Sequence, residues 1–285
     1  MNARHTTQEN DFVLKFANVN GTGSASANSL LMQAIFRMGI PVTGKNIFPS
    51  NIQGLPTFYE VRVSKDGYTA RPQHVDLVVA LNPSTYAKDV ATVRPGGYLL
   101  YDSSWPLEAE LEREGITILG IPFGRMCVDT FVGDRDRTLL RNIVYAGALA
   151  ALLEIDMDIV GQMLIEKFSK KKKLLESNNT AIRLGYDYAK AHFACPLPFH
   201  LEKMDATGDS IIIDGNTAPK LGQMVQAGKV AWGRMDAPDG DHLKITSIVT
   251  EVLENTNLKE TDAQGAIAEF FALQKQLVFG ILEGM

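Results

Sequence analysis

The sequence has 285 residues, of which 45% are hydrophobic and 21% are charged, with a formal net charge of −5. This length fits one large α/β domain with a smaller appendage, and the negative charge argues against a nucleic-acid surface, which needs clustered Lys and Arg. The two cysteines lie far apart without a C-x-x-C motif. That spacing excludes an iron–sulfur cluster or a Cys-rich zinc site made by this chain alone.

The termini and the apolar runs indicate a cytoplasmic protein without membrane partners. Residues 1–11 are polar and lack the apolar core of a signal peptide, and no apolar run approaches the roughly 20 residues that a membrane span needs. Sparse free thiols fit a reducing compartment. The basic run Lys170–Lys173 is typical of a solvated surface, with a phosphate or an acidic partner as the alternative.

The first predicted element is a strand, a glycine turn and a helix. An apolar run over 12–17 leads into Gly21-Thr22-Gly23, and a helical pattern follows over about 28–38. Such a turn presents backbone N–H groups at a helix N-terminus, where an anion is favoured. Ser26 replaces the third glycine of a dinucleotide fingerprint, and residues 41–46 offer no acid for a ribose, which disfavours NAD. A structural turn without a ligand is the alternative.

A long loop and a strand come next. Residues 45–56 carry two prolines and several uncharged hydrogen-bonding side chains, which predicts a loop that contacts either a ligand or only a partner surface. Alternation over Thr57–Ser64 predicts a strand with one buried face. Arg62 and Ser64 share one side of it, so Arg62 either binds a carboxylate or phosphate or forms a structural salt bridge.

The following segments repeat the strand-then-helix rhythm and predict an α/β fold, a Rossmann-like, mostly parallel sheet with helices on both faces. Predicted strands cover 75–81, 98–101 and 116–121, with a helix from Asn82 to about Val93 and a short acidic helix over 106–114. The loops at the strand C-terminal ends should lie together and hold any ligand. These loops are 18–24, 46–54, Asn82 and 102–104.

From Arg137 onward the pattern becomes helical. Predicted helices cover 139–155, 157–168 and 174–193, a hairpin is predicted from 199–204 and 210–214, and two helical patterns cover 245–254 and 262–282. We therefore expect a Rossmann-like domain over 1–228, including the helical extension and the hairpin, and a helical C-terminal tail over 229–285.

The sequence holds no recognisable catalytic constellation. The five histidines show no metal-ligand spacing, and there is no G-x-S-x-G, Walker A or H-E-x-x-H motif. The carboxylates of Asp76, Asp102 and Asp214 lie at strand ends or starts, where helix capping explains them more often than acid–base chemistry. The chain is therefore expected to hold a ligand or to complete the site of another chain.

Several stretches carry a resemblance to a known family. In chain order they are V-N-G-T-G-S-A-S-A, N-I-F-P-S-N-I-Q-G-L-P, Y-E-V-R-V-S, V-D-L-V-V-A-L-N-P, K-L-L-E-S-N, L-G-Y-D-Y-A-K and I-I-I-D-G-N-T-A. Over about residues 12–222 the chain resembles the gamma domain of 2-oxoacid:ferredoxin oxidoreductases, which act on pyruvate, 2-oxoglutarate or ketoisovalerate. It most resembles the branch acting on 2-oxoglutarate or pyruvate, in which a gamma domain is fused ahead of an alpha domain.

The resemblance implies an oligomeric complex with alpha- and beta-type subunits that converts a 2-oxoacid and coenzyme A to an acyl-CoA, with ferredoxin reached indirectly. It implies coenzyme A on this chain, and thiamine diphosphate and iron–sulfur clusters only on partner chains. The implied coenzyme A residues are Gly21, Thr22, Gly23, Ser24, Ser50, Asn51, Gln53 and Gly54, with Arg62 and Ser64 matching on the next strand.

Two departures from the family pattern limit what this chain does by itself. The segment Asp214–Ala218 is followed by a short tail without the Y-P-I-T-P motif of the fused alpha domain. The cluster cysteines and the diphosphate-binding motif are also absent from the sequence. The chain is thus expected to be an oxidoreductase subunit that is inactive alone, or a stand-alone, non-catalytic ligand-binding or regulatory relative.

Overall fold

In a computed structural model of the protein, the described residues are 8–47, 55–70, 72–73, 75–106, 112–208, 210, 212, 229–236, 242–251 and 256–266, the last three segments as backbone only. The chain divides into two compact units, residues 1–210 and 211–285. The predicted domain boundary at residue 228 falls outside the described residues and stays a prediction. No helix of the described segments is long and apolar enough to cross a membrane.

The first unit contains a six-stranded sheet with strand order β3-β4-β2-β5-β6-β7. Its strands are β2 Asp11–Val19, β3 Val42–Ile47, β4 Pro56–Ser64, β5 Val75–Ala80, β6 Val93–Asp102 and β7 Thr117–Ile121. Only β4 runs antiparallel to its neighbours, so five strands point the same way and the mostly parallel sheet is confirmed. A separate two-residue ladder pairs β1, Gln8–Glu9, in parallel with β8, Phe199–His200.

The helices of this unit are α1 Ser24–Arg37, α2 Tyr86–Thr92, α3 Phe123–Thr130, α4 Asp134–Leu153, α5 Met157–Phe168 and α6 Lys172–His192. The long helix α4 is buried over most of its C-terminal two thirds and packs on α1 and α6. A Cβ atom added at Gly147 of α4 would lie 1.9 Å from the Ile182 carbonyl oxygen. Only glycine lets α4 and α6 approach so closely.

The edges of several elements differ from the sequence-based bounds. Helix α1 begins at Ser24 rather than near residue 28, because the left-handed Gly23 directly precedes it. The predicted loop at 45–56 is wrong over 45–47, where strand β3 continues. Backbone pairing with β4 holds these residues in a strand although their side chains are exposed. Helix α3 was not predicted, because its eight residues are too few for a clear period. The acidic helix over 106–114 falls largely outside the described residues.

The predicted hairpin around residue 207 is wrong for the described residues. After β8 the chain docks on the end of α1, where Met204 N–H donates to the Met38 carbonyl (2.9 Å) and Ala206 N–H donates to the Gly39 carbonyl (2.9 Å). The Thr207 hydroxyl donates to the Phe36 carbonyl at 2.9 Å. The turn-like Ala-Thr-Gly segment is thus used to close α1 rather than to reverse a strand.

The second unit contains an antiparallel three-stranded sheet, which corrects the predicted helical tail. Its strands are β9 Lys229–Asp236, β10 His242–Glu251 and β11 Thr256–Ala266, in the order β11-β10-β9. The helical patterns are therefore wrong over 245–251 and 262–266, and the remainder of each lies outside the described residues. The stretch I-T-S-I-V-T at 245–250 is rich in β-branched residues, whose strand preference outweighs the apparent helical period.

Candidate functional site

The glycine turn between β2 and α1 is built to present backbone donors. Gly21 and Gly23 both have left-handed backbones, with φ of 87° and 82°, which favour glycine because it has no Cβ atom. Gly23 provides no side-chain cap for α1, and the first turn of this helix contains no acidic residue. Its backbone N–H groups and the helix dipole therefore favour an external anion.

Neighbouring polar groups hold the turn in this conformation. The Thr22 hydroxyl donates to the Val19 carbonyl at 2.8 Å, and the buried Asn142 side chain of α4 donates from Nδ2 to the Thr22 carbonyl at 2.7 Å. Thr22 thus stabilises the turn through both its hydroxyl and its carbonyl group. Asn142 was missed in the sequence, although a single amide inside the apolar stretch 139–153 is a recognisable signal.

A cavity of about 340 Å³ opens at the turn and is lined by uncharged residues. Gly21, Gly23 and Ser24 of the predicted site line it together with Asn46 at the end of β3. The lining residues also include Asn18, Asn20, Ala25, Asn28, Thr57, Phe58 and Tyr59. Of the four loops that were expected to meet, 18–24 and the start of 46–54 line this cavity, and Asn82 adjoins them by donating from Nδ2 to the Asn18 carbonyl at 3.3 Å; residues 102–104 are not among the lining residues.

Buried amides supply the polar groups of this cavity. Asn18 is 3% exposed, and its Nδ2 makes no hydrogen bond of normal geometry among the described residues. Asn28 accepts at Oδ1 from the hydroxyl of Tyr145 at 2.8 Å. Complete burial raises the pKa of Tyr145, while the nearby Asn18 amide lowers it by a smaller amount, so this hydroxyl stays protonated and a donor.

The end of β6 lies at the same edge of the sheet and carries a charged pair, Asp102 with Arg141 of α4. Asp102 accepts from Gly124 N–H (3.1 Å) and from the Ser104 hydroxyl (2.6 Å), so the capping role predicted for this carboxylate is confirmed. Arg141 Nη1 lies 3.8 Å from Asp102 Oδ2. Burial raises the pKa of the adjacent Cys127 thiol to about 11, which keeps it protonated and unreactive at neutral pH.

The structure does not bring Arg62 and Ser64 to the turn. Strand β4 runs antiparallel to β2, with Pro56 opposite Val19 and Arg62 opposite Val13, so Arg62 lies roughly 20 Å along the sheet from the turn. Its guanidinium contacts Asp11 at 2.5 Å. Of the two alternatives left open for Arg62, the salt bridge is the one with an observed partner.

The other predicted coenzyme residues, Ser50, Asn51, Gln53 and Gly54, lie outside the described residues. Both flanks of that segment reach the turn. The Thr57 hydroxyl donates to the Ile47 carbonyl at 3.3 Å, and Asn20 N–H donates to the Leu55 carbonyl at 2.9 Å. The described residues on either side of this segment, Ile47 and Leu55, therefore lie near the glycine turn.

Relatives of known type resemble both the sequence and the fold. The chain is 24% identical to 2-oxoacid:ferredoxin oxidoreductase 2, subunit alpha, of Aeropyrum pernix, over 74% of this chain and 40% of that protein. A structure of 2-oxoglutarate:ferredoxin oxidoreductase from Magnetococcus marinus, with 2-oxoglutarate, coenzyme A and succinyl-CoA bound, matches with a TM-score of 0.65 and 26% identity, over 76% of this chain and 37% of that chain. The chain thus spans about two fifths of these relatives.

A structure of the gamma subunit of a keto/oxoacid ferredoxin oxidoreductase from Geobacter sulfurreducens shares the fold, with a TM-score of 0.51 and 20% identity over 63% of this chain and 99% of that chain. A structure of a pyruvate oxidoreductase subunit from Thermotoga maritima also shares the fold, with a TM-score of 0.52 and 19% identity over 62% of this chain and 96% of that chain. The family model for pyruvate ferredoxin/flavodoxin oxidoreductase matches residues 13–188, more than half of the chain. This protein belongs to that family.

Proposed function

We propose that this chain is the gamma-type component of a 2-oxoacid:ferredoxin oxidoreductase, and that its glycine turn binds the phosphate groups of coenzyme A. The observation that carries the proposal is the uncapped, acid-free first turn of α1 behind Gly21 and Gly23, open to a polar cavity. Coenzyme A carries phosphates that such backbone donors favour. The bound coenzyme in the Magnetococcus marinus enzyme supports this choice of ligand.

The extent of the matches supports the gamma-type assignment. The chain covers 99% of the Geobacter sulfurreducens gamma subunit and 96% of the Thermotoga maritima pyruvate oxidoreductase subunit, but only 40% of the Aeropyrum pernix alpha subunit. One gamma-sized module thus accounts for most of the described first unit. Alpha- and beta-type partner chains would then supply the thiamine diphosphate, the iron–sulfur clusters and the route to ferredoxin, in a cytoplasmic oligomer.

The lining of the cavity supports coenzyme A over a dinucleotide. Asn46 stands at the end of β3, close to where a dinucleotide fold places its ribose-binding acid. Asn18, whose Nδ2 makes no hydrogen bond of normal geometry within the described part of the chain, is a further neutral donor. Arg141, half-buried at the neighbouring strand end, adds one cation to this edge. We leave Arg62 and Ser64 out of the proposed site because they lie at the other end of the sheet.

The cysteines fit a chain whose redox chemistry belongs to its partners. Cys127 is buried in α3, and Cys195 follows α6 and donates to the Ala189 carbonyl at 3.6 Å. Neither lies in a group of potential metal ligands among the described residues. We propose that partner chains convert the 2-oxoacid, pyruvate or 2-oxoglutarate, and that this chain is inactive alone.

Calorimetric titration of coenzyme A into the full chain tests the ligand, with Ala25 as the site of change. Ala25 lines the cavity in the first turn of α1 and is exposed. Ala25→Asp adds a charge that the helix dipole stabilises but that repels a phosphate, so we expect affinity to fall on the order of tenfold or more while the fold is kept. Ala25→Asn is the neutral control of equal size. Equal affinities in both variants, or no binding by the unmodified chain, would overturn the proposal.

Co-purification from the native source tests the assembly. A brown complex containing thiamine diphosphate is expected if the chain is an oxidoreductase component. A colourless homo-oligomer that still binds coenzyme A would instead favour the stand-alone, non-catalytic relative. This outcome separates the assembly from the ligand, because the titration reports on the glycine turn and the co-purification reports on the partners.

A further inference from the structure

Three potential metal ligands share one face where the N-terminal strand meets the end of the first unit. Glu9 of β1 lies directly beside His200 of β8 in the parallel ladder, and Glu202 follows His200 by two residues, which in extended chain returns to the same face. One ligand atom from each side chain lies within 4.8 Å of the other two. His200 Nε2 stands 3.7 Å from Glu202 Oε1.

Asn10 holds the backbones of these residues in place. Its Nδ2 donates to the Glu202 carbonyl at 2.8 Å, and its Oδ1 accepts from Glu202 N–H at 3.0 Å. Asn10 N–H also donates to the His200 carbonyl at 3.0 Å. Asn10 is 4% exposed and has a left-handed backbone with φ of 51°, a conformation that Asn tolerates better than most residues. The cluster is therefore positioned by buried hydrogen bonds before any ion arrives.

The imidazole is the least ordinary member of the cluster. His200 is 7% exposed, and its Nδ1 has no hydrogen-bond partner among the described residues. The ring nitrogen that faces the cluster is Nε2, which lies 3.7 Å from Glu202 Oε1, too far for a hydrogen bond. The carboxylates of Glu9 and Glu202, by contrast, are exposed, which leaves the face open to an ion from solvent.

We propose that Glu9, His200 and Glu202 bind a zinc-type divalent ion, with water completing the coordination. Zn²⁺ takes imidazole nitrogen and carboxylate oxygen in four-coordinate sites, whereas Ca²⁺ and Mg²⁺ prefer oxygen ligands alone. The ion would tie residues 8–10 to residues 199–202. It would thus stabilise the contact between the start and the end of the described first unit, away from the glycine turn.

The test uses the full chain, stripped with a chelator, and Zn²⁺ alone as the probe. One equivalent of Zn²⁺ is expected to bind and to raise the midpoint of thermal unfolding, because the ion binds only the folded ladder. Co²⁺ in place of Zn²⁺ should give the visible absorption bands of a low-symmetry site. Failure to bind one equivalent, or binding without a rise of the midpoint, would overturn the proposal.

Exposed carboxylates provide variants that should still fold. Glu202→Gln and Glu9→Gln keep the backbone hydrogen bonds of Asn10 and should each weaken Zn²⁺ affinity by about tenfold or more, since even the loss of an indirect partner of a metal ligand costs about that much. Glu176→Gln, an exposed change on α6, is the matched control and should leave the affinity unchanged. Equal affinities in all three variants would place the ion elsewhere and reject this site.

Discussion

The two ends of the six-stranded sheet are built from different chemistry. At the end where the parallel strands begin, carboxylates meet arginines: Asp11 contacts Arg62 at 2.5 Å, and Asp76 contacts Arg94 at 2.5 Å. At the end where they finish, the cavity beside the turn is lined by uncharged residues, mainly amides, glycines and hydroxyls, and the carboxylate and arginine nearby, Asp102 and Arg141, stand 3.8 Å apart. We call these the closed end and the open end.

The difference separates stability from recognition. At the closed end, Asp76 uses both oxygens inside the protein, one for Arg94 and one for Val13 N–H at 2.8 Å. At the open end, Asn18 Nδ2 makes no hydrogen bond of normal geometry within the described part of the chain, and Gly23 provides no side-chain cap for the first turn of α1. Changes at the closed end should therefore lower stability, and changes at the open end should alter ligand affinity.

The largest effect is expected from Asp76→Ala. The variant leaves Val13 N–H buried without an acceptor and Arg94 without its partner, so the free energy of unfolding should fall by about 2–4 kcal/mol. Urea denaturation measures the change. Asp76→Asn keeps one acceptor oxygen and should lose clearly less. A loss below about 0.5 kcal/mol in Asp76→Ala would contradict the inferred contribution of the closed end to the stability of the fold.

The next effect is a pH dependence at the open end, set by Cys127. Burial raises the pKa of this thiol to about 11 from the usual 9.0, so the folded state binds the proton more tightly than the unfolded state does. This contribution to stability is complete below pH 9 and is lost as the pH rises toward 11, by about 1.4 kcal/mol per pH unit.

Comparison with Cys127→Ala separates the contribution of the Cys127 thiol to stability from those of other groups that titrate at alkaline pH. The difference in unfolding free energy between the native chain and the variant should be constant below pH 9 and then shrink. Urea denaturation between pH 7 and pH 11 measures it. A constant difference across the whole range would contradict the inferred burial of the thiol.

The sequence predicted the open end better than the closed end, because local signals control the former. Gly21 and Gly23 between an apolar strand and a helix fix a turn whose geometry depends on a few consecutive residues. The buried strand β5 and helix α5 were predicted with nearly the observed bounds, since their periodicities are uninterrupted. The meeting of the strand C-terminal ends then followed from the parallel order.

The position of Arg62 could not be read from local pattern, because it depends on the direction of β4. A strand that alternates looks the same whether it runs parallel or antiparallel, and only the pairing of Arg62 with Val13 reveals which end it occupies. The prediction of a helical tail in the second unit was wrong for a similar reason. Its strands β9–β11 are satisfied by pairing with one another, a long-range condition that a window of residues does not contain.

The smallest effect sharpens the comparison at the open end. Tyr145→Phe removes the donor to Asn28 Oδ1, a 2.8 Å hydrogen bond between fully buried groups, so the free energy of unfolding should fall by about 1 kcal/mol. Asn28 also lines the cavity at the turn, and its released amide should reorient and weaken coenzyme A binding.

Tyr98→Phe, on a ring that packs against Phe199 near the closed end, is the control and should leave the affinity unchanged. Urea denaturation and calorimetric titration of both variants provide the measurements. If both variants lost affinity equally, the two ends of the sheet would not be functionally separate, because a closed-end change would then reach the turn.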